Sequence, residues 1–399
     1  ISSKNFLMKK IKDLEDLNQK IVLLRVDLNV PIKNDKVLDD TRIKKVIPTI
    51  SHLLNHNAKI IIITHVGRPK GKKIVGLSLN PICKYLKDEF NTRIRLITQD
   101  IKNLSKKDIF QNSDDRIVLL ENIRFYPEEE NNEIEFAKNL ASLGDIYVNE
   151  AFSCSHRAHA SVSNITKFIK SYGGLHLINE IDALSQITHD IKRPISCIIG
   201  GSKISTKISV ITNLVSKYDN IIIVGAMANN FLKFNGQNIG QSFFEKNSET
   251  IVKDIYDKAK KNRCKILCPT DFSVGKNLED VSKNKKINEI ENDDLILDIG
   301  FETIISIKKI INNSKTILWN GPAGYFENEN FATGSYEIAK EISEKTKNNK
   351  IFSVIGGGDT VAVLNKLNII KNFNFVSTAG GAFLEYLEGK ELPGIKALN

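Results

Sequence analysis

Short runs of Ile and Val recur along this chain, and each is followed by a polar or Gly-rich turn and then an amphipathic stretch. "IVLLRVD" (21–27), "KIIIITH" (59–65), "RIRLI" (93–97), "RIVLLEN" (116–122) and "DIYVNE" (145–150) occupy the first half. "PISCIIGG" (194–201), "NIIIVGA" (220–226), "KILCPT" (265–270), "DLILDIG" (294–300), "KTILWNG" (315–321), "KIFSVIGGG" (350–358) and "FNFVST" (373–378) occupy the second. Runs of this length and make-up suit strands buried on both faces. Intervening segments such as "DDTRIKKVIPTISHLLNHN" and "NEIEFAKNLASLG" suit helices. The alternation constrains the fold to α/β, with parallel sheets covered by helices on both sides.

With 399 residues the chain exceeds the roughly 250–300 at which single cores stop growing, so two domains are expected. The break falls near 171–193, where "LHLINEIDALSQITHDI" reads as one helix with Leu175, Ile178, Ile181 and Leu184 on one face. The division is then 1–172, an interdomain helix at 173–191, and a second domain over 192–386. The charge-rich 277–294 segment reads as a solvated insertion. No uncharged apolar stretch is long enough for a membrane span, and residues 1–7 read as an extension ahead of Met8 without signal-peptide character. Five cysteines without a C-x-x-C pair point to reduced thiols and a cytoplasmic location. The net charge of +10 fits either a Lys-rich surface or anionic ligands. Arginine is more selective: nine of ten lie before residue 200, and a guanidinium grips phosphate or carboxylate in two-pronged fashion.

In parallel sheets, ligands bind beyond the carboxyl ends of the strands. In the first half those ends carry Asp27, Asn29, His65, Arg68, Asn122 and Arg124, then the loop "SCSHRAHASV" (153–162) with His156, Arg157 and His159. Arg42 opens the helix after the first strand. Three readings of the loop compete: a metal site, a histidine base oriented by Glu150, or an anion pocket. An Arg among the ligands repels a cation, so the anion pocket is preferred. The acidic run after Tyr126-Pro127 reads as a solvated helix start. In the second half, "GGSKISTKI", "VGAMANN", "GGGDTVAVL" and "STAGGAFLEYLEG" each follow a strand and open a helix, as phosphate-binding loops do. Lys203 and Lys207 are placed on one face of a first helical turn, and Asp359 where it can cap a helix and hold a metal bound to phosphates. "GRPKGKK" is one residue short of a P-loop, and no G-x-G-x-x-G occurs, which disfavours a dehydrogenase. An anion site on one half and a nucleotide site on the other suit phosphoryl transfer, which needs positioning and charge neutralisation rather than a general base.

"RVDLNVP", "DDTRI", "HVGRP", "ENIRF", "HRAHAS", "GGSKISTKI", "NGPAGYFE", "GGGDT" and "LEGKELPG" follow one another in this order, and together they resemble the phosphoglycerate kinase family from about residue 9 to 397. The resemblance implies two Rossmann-like domains separated by a cleft, a tail (387–399) returning to the first domain, and hinge closure. It implies reversible transfer between 1,3-bisphosphoglycerate and MgADP, giving 3-phosphoglycerate and MgATP. Asp27, Asn29, Arg42, His65, Arg68, Arg124 and Arg157 would bind the glycerate, with His159 beside them. Arg42 and Lys203 would touch the transferred group. Lys207, Gly225, Glu327, Gly357, Gly358, Asp359 and Thr360 would bind the nucleotide, with Glu327 at the ribose and Asp359 at Mg²⁺. A monomer is implied, with no nucleic-acid or membrane partner. Val224 and Ala379 stand where the family usually has Gly. The competing reading is a non-catalytic binding protein that retains the fold; loss of Arg42, Lys203, Lys207 or Asp359 would favour it, and all four are present.

Overall fold

The computed structural model describes residues 8–112 and 114–399, so the expected extension ahead of Met8 lies outside the described residues. The chain divides into two units. One runs through Ile181 and also takes in Glu391–Asn399, and the other is Asp182–Lys390.

In the first unit β1 (Ile21–Arg25) is followed by a small hairpin, β2 (Ile32–Lys33) and β3 (Lys36–Val37). Then come β4 (Lys59–Ile63), β5 (Ile94–Ile97), β6 (Ile117–Leu120), β7 (Ile146–Asn149) and β8 (Lys170–Gly173). Apart from the hairpin these strands form one parallel sheet in the order β5-β6-β4-β1-β7-β8. Residues 60–63 of β4 are wholly buried, which is why the run is continuously apolar instead of alternating. The helix Thr41–Asn55 turns Ile43, Val46, Ile50 and Leu53 inward at helical spacing. Strand β8 has no counterpart among the apolar runs of the sequence. It is a sheet-edge strand, "KSYG", exposed at its start and buried only at its end, so no apolar run announces it.

The second unit begins with β9 (Ile195–Ile199), β10 (Asn220–Ile223) and β11 (Lys265–Leu267). It continues with β12 (Asp271–Gly275), β13 (Lys283–Lys286), β14 (Leu295–Ile299), β15 (Thr316–Asn320), β16 (Phe352–Gly356) and β17 (Phe375–Ser377). Six of these form a parallel sheet in the order β11-β10-β9-β15-β16-β17. Numbered among themselves, those six follow 3-2-1-4-5-6, the doubly wound order whose reversal point lies between β9 and β15. Two expectations need correction here. "DLILDIG" supplies β14 of a separate antiparallel sheet, β13-β12-β14, and the segment expected to be a solvated insertion contributes β13. Three of the four β13 residues are exposed, and Lys276 and Lys285 pair with Glu291 and Asp294 across this region, so the charges that suggested an insertion hold the sheet's margin instead.

The helix between the halves spans Leu175–Thr188. Its first turn is fixed by the buried carboxylate of Glu150, which accepts from the backbone N–H groups of His176 (2.9 Å) and Leu177 (3.0 Å) and from Thr49 Oγ1. The C-terminal helix Pro393–Lys396 belongs with the first unit: Gly394 N–H donates to Ser155 O at 2.8 Å, and a Cβ at Gly394 would lie 2.6 Å from Val162.

Burial separates the effects of two similar substitutions. Ile62→Ala, in the interior of β4, should cost about 2–5 kcal/mol. Ile305→Ala, on a side chain 67% exposed, should stay within about 0.5 kcal/mol. Chemical denaturation of the two variants measures the contrast, and equal losses would contradict the assignment of β4 to the core.

Candidate functional site

The carboxyl ends of β1, β4, β6 and β7 carry the basic rim. Arg42 donates to Asp27 Oδ2 at 2.6 Å, and Ser153 Oγ donates to the same oxygen. Asp27 Oδ1 accepts from Asn29 N–H (3.0 Å), while Asn29 Oδ1 accepts from Gly67 N–H (2.9 Å) and Gly67 O accepts from Arg124 Nη1 (3.0 Å). Gly67 has φ of +66°, a conformation that leaves both its peptide groups free to bridge these side chains. Four of the predicted residues, Asp27, Asn29, Arg42 and Arg124, are thus joined with Gly67 as the bridge, and a fifth, His65, is held beside them by Arg25, whose Nη2 lies 3.3 Å from its Nδ1. The guanidinium groups of Arg68 and Arg157 are exposed and make no ion pair among the described residues. Burial opposes ionisation of Asp27, but Arg42 and the hydrogen bonds from Ser153 and Asn29 hold its carboxyl below the usual range.

His65 and His159 are both buried. Burial and the charges of Arg25 and Arg124 push His65 well below the ordinary histidine value, and burial with Arg124, Arg25 and Arg157 pushes His159 down to about 3. Both rings are neutral at physiological pH. Glu150 is not the partner of a histidine base here, since its oxygens are committed to the Leu175–Thr188 helix. The carboxylate beside His159 is Glu129, whose Oε1 lies 3.9 Å from Nδ1. Glu129 belongs to the run read as a solvated helix start, yet it is fully buried. Its two oxygens accept from Ser161 N–H (2.8 Å) and Ser161 Oγ (2.6 Å). An acidic run gives no sign of which member turns inward.

The ligating atoms of Asp27, His65 and Cys154 lie within 4.8 Å of one another. Arg42 is bonded to that Asp27 and Arg25 to that His65, so positive charge already occupies the surroundings. Burial pushes the Cys154 thiol up, away from the thiolate a metal needs. The set suits an anion better than a cation.

On the second unit, the loops after β9, β15 and β16 meet through one unpredicted side chain. Asn320, at the end of β15, accepts from Lys207 Nζ and donates Nδ2–H to Gly356 O at 2.8 Å. Gly321 N–H donates to Thr360 Oγ1 at 2.7 Å. Gly357 has φ of +98°, and a Cβ there would lie 3.0 Å from Asn320 Nδ2. Burial pulls the Lys207 ammonium down, against the opposing influence of Cys197 and Asp359. Two expectations fail in detail. The helix begins at Ile208, so Lys203 lies in the preceding turn, not on a helical face with Lys207. That turn is tied down by Glu245, which accepts from Ser205 N–H and Oγ at 2.8 and 2.5 Å. Asp359 is also not a cap: Gly357 occupies the N-cap of the Gly358–Lys366 helix, and the exposed Asp359 carboxylate lies in its first turn.

Beside these loops lies a cavity of about 440 Å³, lined by Gly201, Gly225, Phe243, Leu297, Glu327 and Asp359 among others. Its size and largely apolar walls suit a small organic ligand with phosphates at one end. Three of the predicted residues, Gly225, Glu327 and Asp359, share its wall. Phe243 and Leu278, which also line it, lie in segments without a recognisable motif. Val224 is fully buried in the core cluster that contains Trp319, so the side chain that replaces the family's usual Gly points away from the cavity lining.

A family model described as phosphoglycerate kinase matches residues 11–390. A phosphoglycerate kinase of Wolbachia sp. subsp. Brugia malayi is 46% identical over 395 residues, covering 98% of this chain and 99% of that protein. That of Chelativorans sp. is 43% identical over 392 residues, with 98% of each chain covered. Among solved structures, the phosphoglycerate kinase of Coxiella burnetii superposes with a TM-score of 0.91 at 37% identity, covering 98% of each chain. The enzyme from Pyrococcus horikoshii gives 0.78 at 30%, with the same coverage.

Asp298 supplies a pH test of the cavity wall. Its Oδ2 accepts from Gly334 N–H (2.7 Å) and Oδ1 from Ile299 N–H (2.9 Å), but burial pushes the carboxyl up to about 7. A folded-state value above the unfolded one means that the unfolded chain gives up this proton first. Stability is therefore lost as pH rises from about 4 towards 7, and the loss is complete above that. Asp298→Asn cannot ionise, so its unfolding temperature should improve relative to the parent as pH rises from about 4 to 7. A constant difference would mean that Asp298 does not titrate in this window.

Proposed function

The chain belongs to the phosphoglycerate kinase family, and from that membership we propose how its residues divide the work. The reaction is reversible phosphoryl transfer between 1,3-bisphosphoglycerate and ADP, giving 3-phosphoglycerate and ATP, a step of glycolysis in which a carboxyl group accepts phosphate from ATP. The observation that best supports the assignment of residues is the character of the rim: guanidinium groups beside buried neutral histidines, with Asp27 already paired to Arg42. That is equipment for a substrate that is itself an anion. A carboxylate acceptor needs no base to become a nucleophile, so positioning and charge neutralisation suffice.

In this proposal Asp27, Asn29, Arg42, His65, Arg68, Arg124, Arg157 and His159 hold the glycerate and its phosphate. The exposed Arg68 and Arg157 are free to close their forks on phosphate oxygens. Arg42 and Lys203 contact the moving phosphoryl group. Lys207, Gly225, Gly357, Gly358 and Thr360 receive the nucleotide phosphates, and Glu327 the ribose. Asp359 fits a Mg²⁺ role, because an exposed carboxylate with no hydrogen-bond or ion-pair partner among the described residues, close to Lys207, matches the way Mg²⁺ is held by one or two carboxylates plus substrate phosphates. When bound there, the ion neutralises charge on the phosphates; Lys207 and the glycine N–H groups hold the rest of the chain of phosphates in line.

Purified protein should release ADP from ATP only when 3-phosphoglycerate and Mg²⁺ are both supplied; equal release without the glycerate overturns the proposal. Removing one preorganised donor to the transferring group lowers turnover about 10²–10³-fold, so Lys203→Ala should lose kcat on that scale with little change in either KM. Near-normal kcat with weaker ATP binding would assign Lys203 to the ground state.

The glycerate residues belong to one unit and the nucleotide residues to the other, while in-line transfer needs reacting atoms about 3–3.5 Å apart. We therefore propose closure about residues 173–191, driven most strongly by both ligands together. Small-angle scattering should show the radius of gyration falling further in a saturated ternary complex than with either ligand alone. An unchanged radius excludes the motion.

A further inference from the structure

Arg25 is the last residue of β1 and is fully buried, directly beneath the rim. Its Nε donates to Ser161 Oγ at 2.8 Å, its Nη1 to Val26 O, and its Nη2 lies 3.3 Å from Nδ1 of His65. The direction of that last bond is fixed by chemistry. A guanidinium has five N–H donors and no acceptor, and it keeps its proton inside proteins. Nδ1 of His65 must therefore accept. A ring that accepts at Nδ1 is neither the imidazolium nor the Nδ1–H tautomer, so its one proton is on Nε2. The ring makes no other hydrogen bond among the described residues.

We propose that Arg25 is a positioning residue: by donating to Nδ1 it locks His65 as the neutral Nε2–H tautomer, so that His65 meets the anionic substrate as a fixed hydrogen-bond donor and not as a pH-dependent charge. This rests on the assignment of the rim to the glycerate.

Two further features carry the argument. The lock is itself held. Ser161 Oγ, having accepted from Arg25, donates to Glu129 Oε1 at 2.6 Å, Ser161 N–H donates to Glu129 Oε2 at 2.8 Å, and Tyr147 O–H donates to Ser161 O at 2.7 Å. Every donor has one direction to point, so the guanidinium cannot turn without leaving a buried carboxylate or carbonyl unsatisfied. The charges facing His65 also oppose a second proton. Arg25 on β1, Arg42 on the Thr41–Asn55 helix and Arg124 in the turn Ile123–Phe125 face it, against the carboxylate of Asp27; Cys154, in the turn Phe152–Cys154, stays a thiol. Arg42 and Asp27 offset each other as an ion pair, which leaves the positive charges of Arg25 and Arg124 unopposed beside the buried ring.

Imidazole ¹H–¹⁵N correlation spectra of the ligand-free protein test this, with the His65 signals identified by their absence in His65→Gln. The expected pattern is a single protonated nitrogen, Nε2, unchanged between about pH 5.5 and 8, a range in which an ordinary histidine titrates. An Nδ1–H signal, or a protonation midpoint inside that range, overturns the proposal. Arg25→Met supplies the second arm. Its His65 should regain tautomer exchange. Its KM for 3-phosphoglycerate should rise about tenfold, the scale of one lost charge-assisted hydrogen bond, while the KM for ATP stays in place. A folded Arg25→Met protein with His65 still locked on Nε2 also overturns it. If that variant does not fold, the parent spectra alone decide. Because the spectra need no substrate, the lock and the glycerate assignment fail independently: the first by NMR, the second by the 3-phosphoglycerate requirement of the assay above.

Discussion

Both large sheets are parallel and covered on both faces, and that arrangement constrains where anything polar is placed. The central strands β1, β4, β9 and β15 are buried along nearly their whole length, so their interiors are almost entirely apolar, and the exception, Ser196, is paired with Ser314. Polar groups within such a layer need a partner to offset their desolvation. The chain therefore concentrates its chemistry where the strands end. Arg25 and Asn149 close β1 and β7, and Asn320 and Gly356 close β15 and β16. In each unit these end residues turn inward to tie neighbouring loops together, and the next few residues face outward. The inner tier fixes geometry, and the outer tier is available for ligands.

That division explains which parts of the molecule are legible in the sequence. The parallel strands announce themselves because double-sided burial demands uninterrupted apolar runs. The outer tier is legible too: Arg42, His65, Arg68, Arg124 and Arg157 are unusual residues placed just after such runs, and glycine clusters after β9, β10, β16 and β17 mark tight turns. The inner tier is not. Glu129 sits in an acidic run where every neighbour is equally polar, and only the packing of Ala160 and Ser161 against it decides that it is buried. Glu150 reads as a helper for a histidine, yet its oxygens are taken by a helix that begins 25 residues later in the chain. Asn320 is one of many asparagines, and nothing local distinguishes it. The antiparallel β12–β14 sheet escapes for a related reason: its edge is held by Lys–carboxylate pairs, whose sequence signature is that of a solvated loop.

Three buried carboxylates illustrate one electrostatic pattern. Glu129, Glu150 and Asp298 all have their carboxyl groups pushed up by burial, and all accept backbone N–H donors. Glu150 and Asp298 each hold the start of a helix, Leu175–Thr188 and Thr333–Lys347, where the partial positive charge of unsatisfied N–H groups favours an anion. Neither helix start is left to a short polar cap of its own. Each depends on a residue from a distant strand, which couples the helix to the sheet. Gly324 and Gly334 permit this for Asp298, since a side chain at either would run into the carboxylate.

The rim around Asp27 works by a complementary rule. Its carboxylate is drawn below the usual range by Arg42 and the hydrogen bonds from Ser153 and Asn29, so it stays charged and keeps Arg42 in place, while the histidines are held neutral by burial and by the guanidinium groups around them. The result is a surface whose protonation states are set by its own fixed charges and change little around neutral pH. On the proposed assignment of the rim to the glycerate, that constancy is useful for a phosphoryl transfer whose acceptor is already ionised: no group in the rim would have to pick up or release a proton, and positive charge can be matched to the phosphate oxygens. A general base in the same position would need a pKa near neutrality, and burial together with the two buried guanidinium groups shared by His65 and His159, those of Arg25 and Arg124, opposes one.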